Sequence, residues 1–239
     1  MKALIFAAGL GERMRPLSDA TPKPLLRAGS KRLIEWHLER LAAGGVREVV
    51  VNIAHLAAQF PDALGDGAPY GVRIEYSHEG ATPLETGGGM LHALPLLGSE
   101  PFVAVNGDTW TDFDFTALPR EPAGVAHLVL VDNPPHRPQG DFGITEDDSL
   151  LPFVDSPGAQ RALTFAGIGV YRPEFLDGWR GVICDALGAQ ENPPRFSITP
   201  LLRAAISKNQ IGWHQHHGAW FDIGTPQRLR ELDAQLSEA

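Results

Sequence analysis

The residues with the clearest chemical capacity fall at four places. Near the N-terminus, Ala8, Gly9 and Gly11 lie in Ala7-Ala8-Gly9-Leu10-Gly11, directly after the apolar run Ala3 to Phe6. Glycines there let the backbone turn tightly and approach a ligand with no Cβ in the way, and successive N–H groups of such a loop can cradle an anion. Glu12, Arg13, Arg15 and Lys23 follow, on a path stiffened by Pro16, Pro22 and Pro24. Further on, Glu79 precedes Gly87-Gly88-Gly89. Three adjacent glycines at a helix start are costly unless something comes close to the backbone there or a hinge is needed. Asp108 ends Asn106-Gly107-Asp108, after the apolar run Phe102 to Val105. A carboxylate at the carboxyl end of a parallel strand sits where open α/β sheets bind ligands, and it can give a hard oxygen to Mg²⁺; standing alone, N-G-D also marks a simple turn. Lastly, Asp222 stands between Phe221 and Ile223 on an otherwise apolar segment. A helix start at Thr225-Pro226 explains Gly224 to Pro226, but not that acid.

Other chemistries are excluded or weak. The P-loop pattern G-x-x-x-x-G-K-[ST] is absent. The dinucleotide fingerprint lacks its third glycine, and a basic, proline-containing loop replaces the helix it should open. His214, His216 and His217 cluster near the C-terminus, with His214 and His216 on one strand face, but no Cys or carboxylate joins them at zinc-ligand spacing; an exposed edge strand is the expectation. His37, His55, His78 and His92 read as packing or surface residues. Cys184 is the single cysteine, so no intrachain disulfide forms, and burial is expected for it.

The elements that must position these residues follow from apolar patterning. Continuous apolar runs predict buried strands at Ala3 to Phe6, Glu48 to Ile53, Val72 to Tyr76, Phe102 to Val105 and Val125 to Val131. Helical spacing predicts helices over Arg32 to Leu41, Ala54 to Leu64, from the glycine run to about Leu94, and over Arg195 to Ala205. The alternation predicts β-α-β units and a mostly parallel sheet. Asn133 to Gly140 is too proline-rich for regular structure, Phe142 to Val154 is expected to form a hairpin, Gln210 to His216 a strand, and 178–194 a loop-rich insertion. At 239 residues and 43% hydrophobic content the chain is long and apolar enough for one large α/β domain.

Charge narrows the partners. The net charge of −9 argues against nucleic acid. Residues 1–32 nevertheless hold seven cations against two acids, so the remainder carries −14. An acidic chain with one basic segment suits a small anionic ligand bound there, although a solvated basic face is equally consistent. With no apolar run of 18 residues, no membrane span is expected, and with only six apolar residues between Lys2 and Gly9 no signal peptide is expected either. The expected location is cytoplasmic.

Two strings are more specific than their parts. G-x-G-x-R-M-x-P followed by P-K-P, and W-F-D-I-G-T-P, resemble the sugar-phosphate nucleotidyltransferases. The resemblance extends through PLETGGG, VNGDTWTDFDF, GDFG and LTFAGIGV. It implies a Rossmann-like nucleotidyltransferase fold, a mostly parallel central sheet with helices on both faces and a smaller β-rich sugar-binding part. One domain over 1–239 is implied, with a nucleotide half over about 1–131 and a sugar half over about 132–239. Carried onto this chain, Ala8, Gly9, Gly11, Glu12, Arg13, Lys23, Glu79, Pro83, Thr86 and Gly88 bind nucleotide. Arg13 meets the departing pyrophosphate and Lys23 the α-phosphate, while Asp108 and Asp222 hold Mg²⁺. Asn106, Gly140, Asp141, Gly143, Asp155, Phe165 and Gly167 face the sugar.

The implied substrates are UTP and a sugar 1-phosphate. The sequence departs from the family pattern at Met14, at Glu85 where glycine is common, and at Asp155-Ser156-Pro157 and Phe165-Ala166-Gly167-Ile168, which replace E-K-P and N-A-G-I. The lost lysine and asparagine point to a sugar other than a common hexose. Relatives using mannose or glucose 1-phosphate with GTP or dTTP are the alternative reading. A non-catalytic nucleotide-sugar sensor is disfavoured because Arg13, Lys23, Asp108 and Asp222 are all present. No oligomeric state follows from the sequence, a monomer being one option.

Overall fold

The computed structural model describes residues 1–184 and 188–238. Its first half runs β1 (Ala3–Phe6), α1 (Leu17–Ala20), β2 (Arg27–Ala28), β3 (Lys31–Arg32), α2 (Leu33–Ala43), β4 (Glu48–Ile53), α3 (Gln59–Leu64), β5 (Arg73–His78), α4 (Glu85–Leu97) and β6 (Phe102–Asn106). Then come β7 (Thr109–Thr111), β8 (Ala126–Val131), β9 (Phe142–Ile144), β10 (Leu150–Leu151), β11 (Arg161–Tyr171), α5 (Trp179–Ile183), α6 (Thr199–Ile206), β12 (Ile211–Gln215), β13 (Trp220–Asp222) and α7 (Pro226–Glu238).

The apolar runs make the predicted sheet. Its order is β10-β9-β11-β6-β1-β4-β5, and β8 lies between β11 and the edge strand β12. Strands β6, β1, β4 and β5 are parallel, while β11 runs antiparallel to β6, β8 and β9. Both faces are covered, as strands without polar alternation require. Leu4 and Val50 belong to a core with α4, α5 and α6 on one face; Ile5 and Val51 belong to a second core with α2 and α3 on the other. Register puts Phe6 beside both Asn52 and Asn106. The carboxyl ends of the three central strands therefore open side by side. A third apolar cluster, with Met14, Leu33, Trp110, Ile223 and Leu232, fastens β13 and α7 to the N-terminal segment.

Several boundaries depart from expectation. The helix expected from Ala54 begins only at Gln59, because Leu56 takes φ +50°, outside helical geometry. Helix α4 runs past Leu94 through Pro95 to Leu97, held by buried Met90, Ala93 and Leu97. Helix α6 starts at Thr199 instead of Arg195, since the preceding backbone is used elsewhere: Phe196 O accepts from both Gly87 N and Gly88 N, and Ile198 N donates to Thr86 Oγ1. The segment 178–194 was expected to be loop-rich, but it contains α5, whose Trp179 stacks on Phe196 at 4.6 Å between ring centroids. Residues 185–187 of it lie outside the described residues. Cys184 is exposed, not buried; it caps α5 with φ +48°, pointing out of the core. Strand β12 is the expected edge strand, half-buried along its length.

The glycine run at α4 is explained by protein packing. A Cβ on Gly87 would overlap the Phe196 ring, one on Gly88 would overlap the Pro194 carbonyl, and one on Gly89 would overlap the Glu79 carboxylate. We predict that Gly88→Ala lowers unfolding stability by about 1–3 kcal/mol, the usual cost of overpacking. A wild-type urea midpoint would refute the account.

Candidate active site

The N-terminal loop leaves β1 at the sheet's open edge. Gly9 faces free space, with nothing within 4 Å of where its Cβ would be. Gly11 has φ +63° and starts the 3-10 turn Glu12–Met14; Ser18 Oγ donates to its carbonyl at 2.8 Å. The following prolines bring the chain back under the loop to a second 3-10 turn, Lys23–Leu25. Lys23 is thereby buried, its side chain 8% exposed, and Nζ lies 2.5 Å from Asp108 Oδ2. A buried ammonium needs such a partner.

Asp108 and Asp222 come from opposite ends of the sequence and are joined by a two-stranded ladder. Strand β13 runs antiparallel to β7 with Asp222 opposite Thr109, and Ile223 N donates to Asp108 O at 3.1 Å. Close approach at Gly107 tightens the turn before Asp108: its N–H donates to Phe6 O at 2.9 Å, and a Cβ there would stand 2.7 Å from that oxygen. Asp222 Oδ2 accepts from Arg228 Nη1 at 2.8 Å and lies 3.2 Å from His136 Nε2. Burial would raise its pKa, but the charges of Arg228, Lys23 and His136, with the Arg228 hydrogen bond, hold the carboxyl below the usual range. That Lys23 acts on both acids places them in one electrostatic neighbourhood. Arg228 is carried on the first turn of α7, where Thr225 Oγ1 accepts from Arg228 N at 3.3 Å, the expected cap. Over Gly224 the guanidinium groups of Arg228 and Arg13 converge. Three cations thus surround two carboxylates, an arrangement suited to a polyanion and a divalent metal together.

A cleft of about 670 Å³ extends from this cluster. Of the residues expected to bind nucleotide, Ala8, Gly9, Gly11, Glu12, Arg13, Lys23, Glu79, Pro83 and Thr86 line it, as do Asn106 and Asp108. Gly88 is the exception: it lies behind the wall, with its N–H given to Phe196 O. Glu79 lines the cleft but is already engaged. It accepts from Asn52 Nδ2 at 2.6 Å and from Leu84 N at 2.7 Å, and burial pushes its carboxyl up against those two hydrogen bonds. Asn52 Oδ1 in turn accepts from Ala7 N at 2.6 Å. Asn52 and Glu79 therefore brace the N-terminal loop to the start of α4.

The residues expected on the sugar side are less gathered. A register shift in β11 between Phe165 and Ile168 presses Gly167, at φ +74°, against the Asn106 side chain. Apart from Asn106, that group does not line the cleft. Gly140 sits at φ +75° against Asn133, Gly143 lies inside β9, Asp155 is exposed, and Phe165 is half-buried. Asp141 is held by Arg137 at 2.8 Å and by Phe165 N at 3.0 Å. Asp141 and the Phe165 N–H are thus spent on each other, and Asn133 ties the 133–140 loop to β11 through Ala162 O and Thr164 Oγ1.

Four side chains escaped sequence reasoning. Asn52 and Arg228 follow recognisable elements, a buried strand and the cap after Asp222, but carry no local motif. His136 lies within the proline-rich loop, and only tertiary structure shows that the loop turns toward Asp222. Arg195 lines the cleft opposite Glu85, Nη1 to Oε1 3.5 Å. Glu85 itself takes φ +61°, which gives a physical reason for the glycine usual in the family at this place.

The sheet, the basic loop and the paired carboxylates are those of a nucleotide-transferring enzyme. The chain belongs to the nucleotidyl transferase family, whose model matches residues 2–239. Among curated proteins it is 48% identical to an N-acetylmuramate alpha-1-phosphate uridylyltransferase of Neisseria meningitidis serogroup B, over 98% of this chain and 97% of that one. It is 32% identical to the protein of the same name from Caulobacter vibrioides, over 99% and 97%. A solved Bacillus anthracis structure described as a glucose-1-phosphate thymidylyltransferase shares the fold, with a TM-score of 0.82 at 18% identity over 100% of this chain and 96% of that one.

A non-glycine residue held in the left-handed region costs about 1–2 kcal/mol, and the long, partly exposed Glu85–Arg195 contact offsets little of it. Glu85→Gly should therefore raise the melting temperature, by about 2–4 °C for a domain of this size. An unchanged or lower value would show that Glu85 is held without strain.

Proposed function

We propose that this enzyme transfers UMP from UTP to N-acetylmuramate α-1-phosphate, giving UDP-N-acetylmuramate and pyrophosphate, in the recycling of cell-wall peptidoglycan in the cytoplasm. The observation that carries the reaction type is the meeting of Asp108 and Asp222 beside Lys23, Arg13 and Arg228, of which Asp108, Lys23 and Arg13 line the cleft. Base and sugar rest on likeness along essentially the full length to the two uridylyltransferases. The replaced E-K-P and N-A-G-I slots support a sugar unlike glucose or mannose. One unit over 1–239 acts, the part after 131 supplying Asp222, Arg228 and the sugar side.

The two acids fit Mg²⁺ by donor type. Both offer hard oxygens, and their hydrogen bonds among the described residues run through Oδ2, leaving Oδ1 of each without a protein partner. When bound there, Mg²⁺ supplies charge neutralisation and orients triphosphate oxygens. The chain's own residues do the rest. Gly9 and Gly11 let the backbone approach the triphosphate. Lys23 faces the α-phosphate and the incoming sugar phosphate, and Arg13 the pyrophosphate. A sugar-phosphate oxygen attacks the α-phosphorus in line; a new P–O bond forms as the bond to the β-phosphate bridging oxygen breaks and pyrophosphate departs. The attacking oxygen is already ionised at neutral pH, so no general base is needed. Catalysis is positioning plus electrostatics.

Mg²⁺-dependent pyrophosphate release tests the reading, with UTP and N-acetylmuramate α-1-phosphate compared with glucose, mannose and N-acetylglucosamine 1-phosphates and the other triphosphates. Strong preference for the muramate–UTP pair is expected; activity confined to another pair would discard the cell-wall role. Asp108→Ala and Asp222→Ala should each lower turnover by at least about 10²–10³ with an unchanged circular dichroism spectrum. Near-normal turnover in either would end the two-carboxylate assignment.

A further inference from the structure

Helix α2 backs the site from below, packed against both the Lys23 turn and β7. Its inner face is apolar at Leu33, Ile34, Leu38 and Leu41, and among them lies His37, 1% exposed. Nothing in the reaction needs a histidine here, and nothing in the sequence distinguishes it from ordinary packing. Its Nε2 lies 2.8 Å from the Thr109 carbonyl oxygen.

The Thr109 carbonyl has a particular predicament. Ile223 N donates to Asp108 O and Asp112 N donates to Ala219 O, which makes 108/223 and 112/219 the hydrogen-bonded pairs of the β7–β13 ladder. Thr109 opposite Asp222 is then a non-hydrogen-bonded pair, whose carbonyls point outward from the ladder. A buried outward carbonyl needs a donor from elsewhere, and His37 is that donor. A carbonyl can only accept, so Nε2 carries the hydrogen. Nδ1 is then a bare acceptor, and it is buried with no partner. Burial also drives the imidazole pKa down to about 4, which keeps the ring neutral at working pH. An apolar side chain would leave no orphaned nitrogen, but it would leave the buried Thr109 carbonyl without a donor.

We propose that His37 is a positioning residue: its Nε2–H fixes the Thr109 carbonyl and so sets where Asp108, one residue earlier, and Asp222, directly across the ladder, stand relative to each other. The proposal rests on the nucleotidyltransfer reading above and adds a residue outside the cleft to it. The bond acts only on β7, so it governs the carboxylates' spacing and leaves the triphosphate-facing loop of Gly9 and Gly11 untouched.

The test compares His37→Leu, which fills similar volume without a donor, with His37→Gln, whose amide nitrogen reaches the place of Nε2. Should the leucine variant fail to fold, His37→Met takes its part. For His37→Leu, kcat should fall about 10–100-fold, the usual effect of losing a group that orients metal-holding side chains. KM for UTP should stay within about threefold, and the Mg²⁺ concentration for half-maximal rate should rise. His37→Gln should restore kcat to within about threefold of wild type. Independently of turnover, the affinity of each variant for Mn²⁺ without nucleotide, read from the electron paramagnetic resonance signal of free Mn²⁺, should weaken for leucine and recover for glutamine. That binding measurement stands even if wild type proves inactive on every sugar phosphate, an outcome that would overturn the substrate reading alone. Full kcat and Mn²⁺ affinity in the leucine variant, with only a lowered melting temperature, would overturn the positioning role. Equal loss in the leucine and glutamine variants would do the same.

Discussion

One short ladder carries this site. Asp108 sits where the parallel sheet ends, and Asp222 arrives over a hundred residues later on a strand of three residues. The Ile223 N–H to Asp108 carbonyl bond and the pairing of Asp222 with Thr109 hold them together. A two-stranded ribbon is marginal by itself. It persists here because Trp110, Phe221 and Trp36 interlock at its surface, with ring centroids about 6 Å apart, and because α7 and Met14 close over it. The aromatic cluster and the C-terminal helix thus serve the spacing of two acids.

Charge within the site is balanced before any ligand arrives. Two carboxylates left alone in a half-buried site would repel, and each would resist ionisation. Lys23 against Asp108, and Arg228 against Asp222, keep the site close to neutral. On the proposed reading the same cations would meet the triphosphate and the sugar phosphate, so the ion-pair cluster would double as an anion site. The residues after 32 carry −14 against +5 for the segment before them.

Glycine stands in two settings in this chain, one open to the cleft and one packed against the protein itself. Gly9 opens onto free space in the cleft, as expected of a loop that approaches phosphate. The run at 87–89 makes room for Phe196, Pro194 and Glu79 instead. From sequence the two cases look alike, because the demand for a missing Cβ is the same whether the intruder is a ligand or a distant segment of the same chain. The segment 194–198 thereby becomes the cleft's far wall and brings Arg195 to it.

Much was determined by the sequence itself. Short, β-branched apolar runs such as Glu48 to Ile53 read as strands buried on both faces, so the parallel core and its open carboxyl edge follow from local pattern. The basic glycine loop, N-G-D and W-F-D-I-G-T are short strings whose chemistry is set by neighbours in sequence. What tertiary structure decided is whatever depends on contacts between distant segments: that Asn52 and Glu79 spend their polar groups on each other, that Gly88 lies behind the cleft wall, that Asp141 braces a loop, that His136 and Arg228 reach Asp222, and that buried His37 holds the Thr109 carbonyl. A hydrogen bond across 72 residues leaves no periodicity and no spacing to read, because its partners are brought together by the packing of a helix on a ladder.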